Sequence, residues 1–283
     1  MKNFQKVQQT FESCLEKELD LIPEYFQEML RYAIDGGKRL RPVICLDIFE
    51  ATSKQYATTQ RLFNPQLLAL ATEWIHTASL IVDDLPSMDN DSTRRGRNTV
   101  HVRFGEARAQ ELQMFLIAKS LEYVRHESLP LEFQNFQNLN LIQNKFLSVF
   151  HNLGVEGSPQ GQLLDIQSNP DWKTVIEKKT GTFFEVAFVF GYLSGGGDLS
   201  KIDKIKSSAL LLGTLYQMID DYQDQAEDAL KQNCINSFLI LGEENAISEY
   251  YTIENQLIKQ LRELGIWTPV LKEILTFLKL RLP

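Results

Sequence analysis

Apolar side chains recur at three- and four-residue steps over nearly the whole of this chain. Examples are Leu15, Leu19, Ile22, Phe26, Met29, Leu30 and Ala33, and again Leu257, Leu261 and Leu264. That period lines one stripe of a helix and does not supply the alternating face of a strand. Strand alternation bounded by hairpin dipeptides is not evident anywhere. Turn-rich punctuation is confined to islands at Asp35–Gly37, Arg94–Gly96, Gly154–Gly161 and Ser194–Asp198. The spacing predicts helices at about 4–20, 22–34, 42–55, 65–84, 103–127, 132–151, 172–192, 198–226, 230–241, 243–264 and 267–281. The expectation is an all-α protein. No island is polar and Pro/Ser-rich enough to be a linker, so residues 1–283 are expected to form a single large helical bundle.

Lys and Arg number 29 against 37 Asp and Glu, a net charge of −8. That balance is the reverse of what coating a phosphate backbone requires, so no nucleic-acid partner is expected. The three cysteines, Cys14, Cys45 and Cys234, are scattered and lack any CxxC spacing, which fits reduced thiols rather than a disulfide framework. The start lacks the apolar core of a signal peptide, and no run approaches the length of a membrane span. A cytoplasmic protein is expected.

Two acidic clusters stand out. Asp83-Asp84-Leu85-Pro86-Ser87-Met88-Asp89-Asn90-Asp91 follows the apolar run Leu80–Val82, and Asp220-Asp221-Tyr222-Gln223-Asp224 follows Leu210–Ile219. On a helix Asp220 and Asp224 share one face, with Gln217 one turn earlier. Asp83 and Asp89 are six apart, which a straight helix would separate; Pro86 interrupts the backbone ladder and a bulge there would return Asp89 beside Asp83. Each cluster read singly is also compatible with a solvated acidic patch. Carboxylates at helix C-termini oppose the macrodipole by about 0.3–1 kcal/mol each, so two such clusters point to a task. Oxygen ligands without nearby Cys or His suit Mg²⁺, which completes its shell with substrate phosphates. A diphosphate substrate follows. Basic groups at Lys38-Arg39-Leu40-Arg41, Arg94-Arg95 and Lys178-Lys179 would form a positive rim in this acidic chain.

These residues, in this order, resemble the trans-isoprenyl diphosphate synthases, the polyprenyl synthetase family that includes farnesyl and geranylgeranyl diphosphate synthases. Gly36-Gly37-Lys38-Arg39-Leu40-Arg41-Pro42 is similar to the family's GGKRxRP box. Asp83-Asp84 through Asp89, followed by Arg94-Arg95-Gly96, is similar to its first aspartate-rich motif. Gly161-Gln162-Leu163-Leu164-Asp165, Lys179-Thr180-Gly181 and Gln217 through Asp224 resemble its remaining segments. The resemblance runs from about residue 30 to residue 240. It implies an isoprenoid-synthase-type bundle around a central apolar cavity, acting as a homodimer on isopentenyl diphosphate and allylic diphosphates. Three Mg²⁺ ions would be held by Asp83, Asp89 and Asp220, supported by Asp84 and Asp224. Arg94, Lys179 and Gln217 would contact the allylic diphosphate, and Lys38, Arg41, His76 and Arg95 would grip isopentenyl diphosphate.

Ionisation of an allylic diphosphate needs the charge growing on its bridging oxygen neutralised, and the cation formed must be kept from water. Around Lys179-Thr180, where Gly181 loosens the helix, a carbonyl and a hydroxyl would serve as dipoles for that cation; Lys179, Thr180 and Arg94 are the catalytic candidates. Product length would depend on Ala78 and Ser79, five and four residues before Asp83, and on Trp74 and Ile75 one turn deeper. Members that stop at fifteen carbons often carry an aromatic at the Ala78 position, so the small residue above Trp74 points to a twenty-carbon product. Val82 and Ser92 depart from the family pattern, and residues 225–233 lack the usual glycine-lysine-aspartate lid, with Lys231 as a substitute. A non-catalytic subunit of a heteromeric prenyl diphosphate synthase is the alternative reading. A terpene cyclase would use a different second metal motif and has no need of the box at 36–42.

Overall fold

The expected periodicity appears as a succession of helices. The first half holds α1 (Lys2–Leu19), α2 (Glu24–Ile34), α3 (Leu40–Gln55) and α4 (Pro65–Asp83). A two-residue hairpin of β1 (Thr93–Arg94) and β2 (Arg97–Asn98) comes next, then α5 (Val100–Phe104) and α6 (Glu106–Arg125). The second half holds α7 (Gln137–Asn152), α8 (Ser158–Asp165), α9 (Trp172–Ile176) and α10 (Thr182–Ser194). It ends with α11 (Ile202–Asp228), α12 (Ser237–Leu241), α13 (Glu243–Glu263) and α14 (Pro269–Lys279). The structure is a computed structural model and describes residues 1–56, 63–125, 137–165, 171–230 and 235–282. Lys231, Cys234 and the side chains of Gln162 and Asp165 lie outside the described residues.

Helix α10 is apolar around nearly its whole circumference, with Glu185 paired to Lys206, and every one of its residues is buried. A helix of that composition belongs at the centre, and α3, α4, α7 and α11 pack around it. The outer helices bury a single stripe, as α1 does with Phe4, Phe11, Leu15 and Leu19. At the start of α4 the Asn64 side chain accepts the N–H groups of Gln66 and Leu67, and Pro65 begins the helix. This Asn-Pro pair satisfies donors that the first turn would otherwise leave unpaired. Among the described residues, no helix is long and apolar enough to cross a membrane.

Three sequence expectations are corrected. The chain is not wholly without strands: Arg95 and Gly96, at φ 53° and 75°, form a tight turn between β1 and β2. The predicted helix at 103–127 is broken at Gly105, φ 94°, into α5 and α6. The predicted turn island at Gly154–Gly161 is helical, running from α7 through a π turn at Leu153–Gly157 into α8. Its glycines answer close packing: a Cβ on Gly157 would lie 2.8 Å from the Thr182 side chain, and one on Gly161 would lie 2.5 Å from the Lys179 backbone nitrogen. A second π turn, Glu177–Gly181, joins α9 to α10 and packs on the first.

Candidate active site

The first acidic cluster takes its shape where α4 ends. Pro86 has no N–H to continue the ladder, and the chain turns back so that the Asp89 N–H donates to the Asp83 carbonyl at 2.9 Å. The helix stops where a bulge was expected, with the same result: Asp83 and Asp89 are electrostatic neighbours. Asp84 points elsewhere. Only 3% exposed, it accepts the Arg94 Nε at 2.8 Å and pairs with Nη2 at 2.6 Å. Asp84, expected as a supporting metal ligand, is held in a two-pronged charge-assisted contact with Arg94.

The second cluster divides in the same way. Asp220 and Asp224 share a face of α11, whereas Asp221, 3% exposed, faces the interior. Its carboxylate accepts from the Ser237 N–H and hydroxyl at 2.8 and 2.7 Å, and its carbonyl accepts from the Asn236 side chain. Asp221 therefore anchors α12. Gln217 donates to Asp221 at 3.0 Å and accepts from the Thr180 hydroxyl at 3.0 Å. Thr180, Lys179, Gln217, Asp224 and Asp228 line one cavity of about 210 Å³.

Lys179 and Asp83 lie within electrostatic reach of one another, as do Lys38 and Asp220. Lys38 donates to the Tyr216 hydroxyl at 3.1 Å, four residues before Asp220 on α11. Arg41 lies over the Phe183 and Phe184 rings and places Nη1 3.0 Å from His76 Nε2. A guanidinium can only donate, so His76 accepts through Nε2 and carries its proton on Nδ1. Burial first, then the Arg41, Arg95, Arg94 and Arg39 charges, keep His76 neutral, its pKa well below the ordinary value. Arg95 is held below its usual pKa by burial, with Arg39, Arg94 and Arg97 adding to the effect and Glu73 opposing it.

Burial first, with neighbouring carboxylates adding to it and Lys179 or Lys38 opposing, pushes Asp83 and Asp220 each up to about 6. His76 Nδ1 and Arg41 Nε are buried and have no hydrogen-bond partner. Among the described residues no three His, Cys, Asp or Glu side chains converge closely enough to hold a metal unaided. Hard oxygen donors at the end of α4 and on the last third of α11 fit Mg²⁺ bound through a few carboxylates and a phosphate rather than an all-protein cage. Sequence reasoning missed Glu73, Tyr216, Asn236 and Ser237; Tyr216 lay on the Asp220 stripe at i−4.

Of the chain-length candidates, Trp74 and Ala78 lie four apart in the buried stripe of α4, at 0% and 1% exposure. Ile75 and Ser79 are half-buried at its edge. The Trp74 indole N–H is buried without a partner.

Comparison with known proteins gives one consistent answer. A family model described as polyprenyl synthetase matches residues 23–236. A trans-prenyltransferase of African swine fever virus is 31% identical over 282 residues, covering 96% of this chain and 82% of that protein. Geranylgeranyl pyrophosphate synthase 4 of Arabidopsis thaliana is 33% identical over 236 residues, covering 78% of this chain and 59% of that protein. Among solved structures, an FPP/GFPP synthase from Zymomonas mobilis superposes with a TM-score of 0.78 at 26% identity, covering 98% of this chain and 99% of that one.

Proposed function

Because the chain belongs to the polyprenyl synthetase family, we propose that it is a Mg²⁺-dependent trans-prenyltransferase joining isopentenyl diphosphate to an allylic diphosphate. Ionisation, condensation and elimination would yield a product of fifteen to twenty carbons, twenty favoured. The observation that carries this reading is that Asp83 at the end of α4 lies in reach of Lys179 and Asp220 on α11 in reach of Lys38 and Arg41, with the Thr180–Gln217 hydrogen bond tying the π turn that carries Lys179 to α11. Bound Mg²⁺ would act as a Lewis acid on the departing diphosphate, and Asp83, Asp89, Asp220 and Asp224 are the residues that would hold it.

The chain's own groups do the rest. Lys179 and Arg94 receive negative charge beside Asp83, and Arg94 does so from a position set by Asp84. His76 Nδ1–H and Arg41 are donors for the second diphosphate. The Thr180 hydroxyl, held by Gln217, turns an oxygen dipole toward the site for a developing allylic cation. The apolar helices around it keep water from that cation. The final proton is free to leave on the released diphosphate, so no side-chain base is needed.

The deciding experiment incubates the purified chain with Mg²⁺, isopentenyl diphosphate and each of dimethylallyl, geranyl and farnesyl diphosphate, and sizes the products. Condensation by the chain alone supports the reading. No turnover with any primer overturns it in favour of a partner subunit.

The carboxylate shifts set a pH dependence. Free Asp has a pKa near 3.9, whereas Asp83 and Asp220 stand at about 6. Between those values the folded chain holds more protons than the unfolded one, so stability falls as pH rises through the window and the destabilisation persists above it. Metal binding needs ionised carboxylates and offsets the cost of burying their charge. Mg²⁺ with inorganic diphosphate at saturating levels should raise the thermal midpoint by roughly 5–10 °C at about pH 7.5. The shift should be far smaller at about pH 5 and be reversed by chelation; equal shifts at both pH values would count against these carboxylates as ligands.

Product length gives a separate check. If Trp74 closes the space below Ala78, Trp74→Ala should lengthen the main product by at least one isoprene unit in mass spectra, at a stability cost of about 3–5 kcal/mol. Trp74→Leu is the milder variant. An unchanged distribution in both removes Trp74 as the floor.

A further inference from the structure

Of the three cations in the Gly36–Pro42 box, Lys38 and Arg41 turn toward the site. Arg39 turns away from it, into the protein. Arg39 precedes α3 with φ 54°, a left-handed conformation that a residue other than glycine rarely adopts without compensation. Its guanidinium is 6% exposed and lies between two carboxylates: Nη1 is 2.7 Å from Glu73 on α4, itself 5% exposed, and Nε is 2.9 Å from Glu12 on α1. To reach them the side chain folds back across Gly37, where a Cβ would stand 2.2 Å from Arg39 Nη1. Glu73 is three residues before His76 and within electrostatic reach of Arg41 and Arg95.

We propose that Arg39 is the positioning residue of the isopentenyl diphosphate subsite. Its two-carboxylate clamp on α1 and α4 holds the box in the backbone conformation that sends Lys38 and Arg41 to one side, and it neutralises a buried carboxylate, Glu73, that would otherwise compete for Arg41. A buried ion pair by itself adds little net stability over apolar packing. A guanidinium forked between two helices fixes direction, which a lysine cannot do from a single ammonium. The bare Gly37 belongs to the same device, as the space through which the guanidinium passes. Of the allylic-side residues, Lys179 and Gln217 are on other segments, and Asp83 is ten residues beyond Glu73 at the far end of α4. The effect of loosening it should therefore fall on one substrate.

This inference rests on the prenyl-transfer reading, and the test separates the two. KM for isopentenyl diphosphate and KM for the allylic primer are measured in wild type, Arg39→Gln, Arg39→Lys, Gly37→Ala and the double variant Arg39→Gln/Glu73→Gln. Arg39→Gln and Gly37→Ala should raise KM for isopentenyl diphosphate by about 10- to 100-fold, the range that misplacement of positioning groups produces, with the allylic KM within about twofold. Arg39→Lys should fall between them and wild type. The double variant removes both charges of the buried Arg39–Glu73 pair together and so spares the fold, yet should retain the raised KM because the clamp is absent. Equal increases for both substrates, or a double variant restored to wild-type KM, would overturn the proposal and leave Arg39 a structural ion pair. A wild-type chain that neither binds isopentenyl diphosphate by calorimetry nor consumes it overturns the functional reading instead.

Discussion

Asp83→Asn and Asp220→Asn are each expected to lower the rate of prenyl transfer by about 10³-fold or more, corresponding to the several kcal/mol that charge stabilisation supplies at a departing diphosphate. Asn preserves the shape of the side chain and removes its charge. Both carboxylates are partly buried, where a charge interacts more strongly than in water, and burial raises both pKa values. Groups that work as a unit are non-additive, so the double variant should be little slower than either single one. Incorporation of labelled isopentenyl diphosphate, with circular dichroism as the check on folding, measures the effect. Asp84→Asn is the informative contrast: its carboxylate is engaged by Arg94, so its loss should appear as reduced stability and a rate loss of about tenfold, from an Arg94 less firmly held. If Asp84→Asn matches Asp83→Asn in rate and leaves stability intact, Asp84 is a ligand after all.

Gly213→Ala should cost about 3 kcal/mol of stability, at the upper end of ordinary overpacking, together with most of the activity. The added Cβ would stand 2.7 Å from the Cα of Gly181 and 3.3 Å from its nitrogen. These are main-chain atoms of the π turn that presents Thr180 to Gln217, so neither helix has a side chain that can swing aside. Displacing α10 from α11 breaks the 3.0 Å Thr180–Gln217 contact and moves Lys179 relative to Asp83. Gly154→Ala is the control, since its Cβ would meet nothing within 4 Å. Helix propensity alone predicts a gain of up to about 1 kcal/mol there. Thermal denaturation and turnover of the two variants should move in opposite directions for stability; a Gly213→Ala chain with wild-type midpoint and rate would show that the close approach is dispensable.

Much of this molecule was readable before any coordinates. The 3.6-residue period is a local property, and it predicted α1, α2, α4, α13 and α14 to within a few residues. The one large error, a turn at Gly154–Gly161, came from reading glycine only as a turn residue. Glycine also appears where two backbones must touch, and that partner, Lys179, lies eighteen residues from Gly161.

Residue types and their short spacings were enough to find the clusters and to suggest a chemistry, because preferences for Mg²⁺ and diphosphate follow from which atoms a side chain carries. Which carboxylate does which task was beyond them. Asp83 and Asp84 are neighbours of identical chemistry, as are Asp220 and Asp221, and each pair is divided by where a distant group lies: Arg94 captures Asp84, and Ser237 captures Asp221. The same holds for Arg39, aimed inward by Glu73 thirty-four residues away. Direction in space is set by long-range packing, and a one-dimensional pattern carries the donor and the acceptor without saying which of them meet.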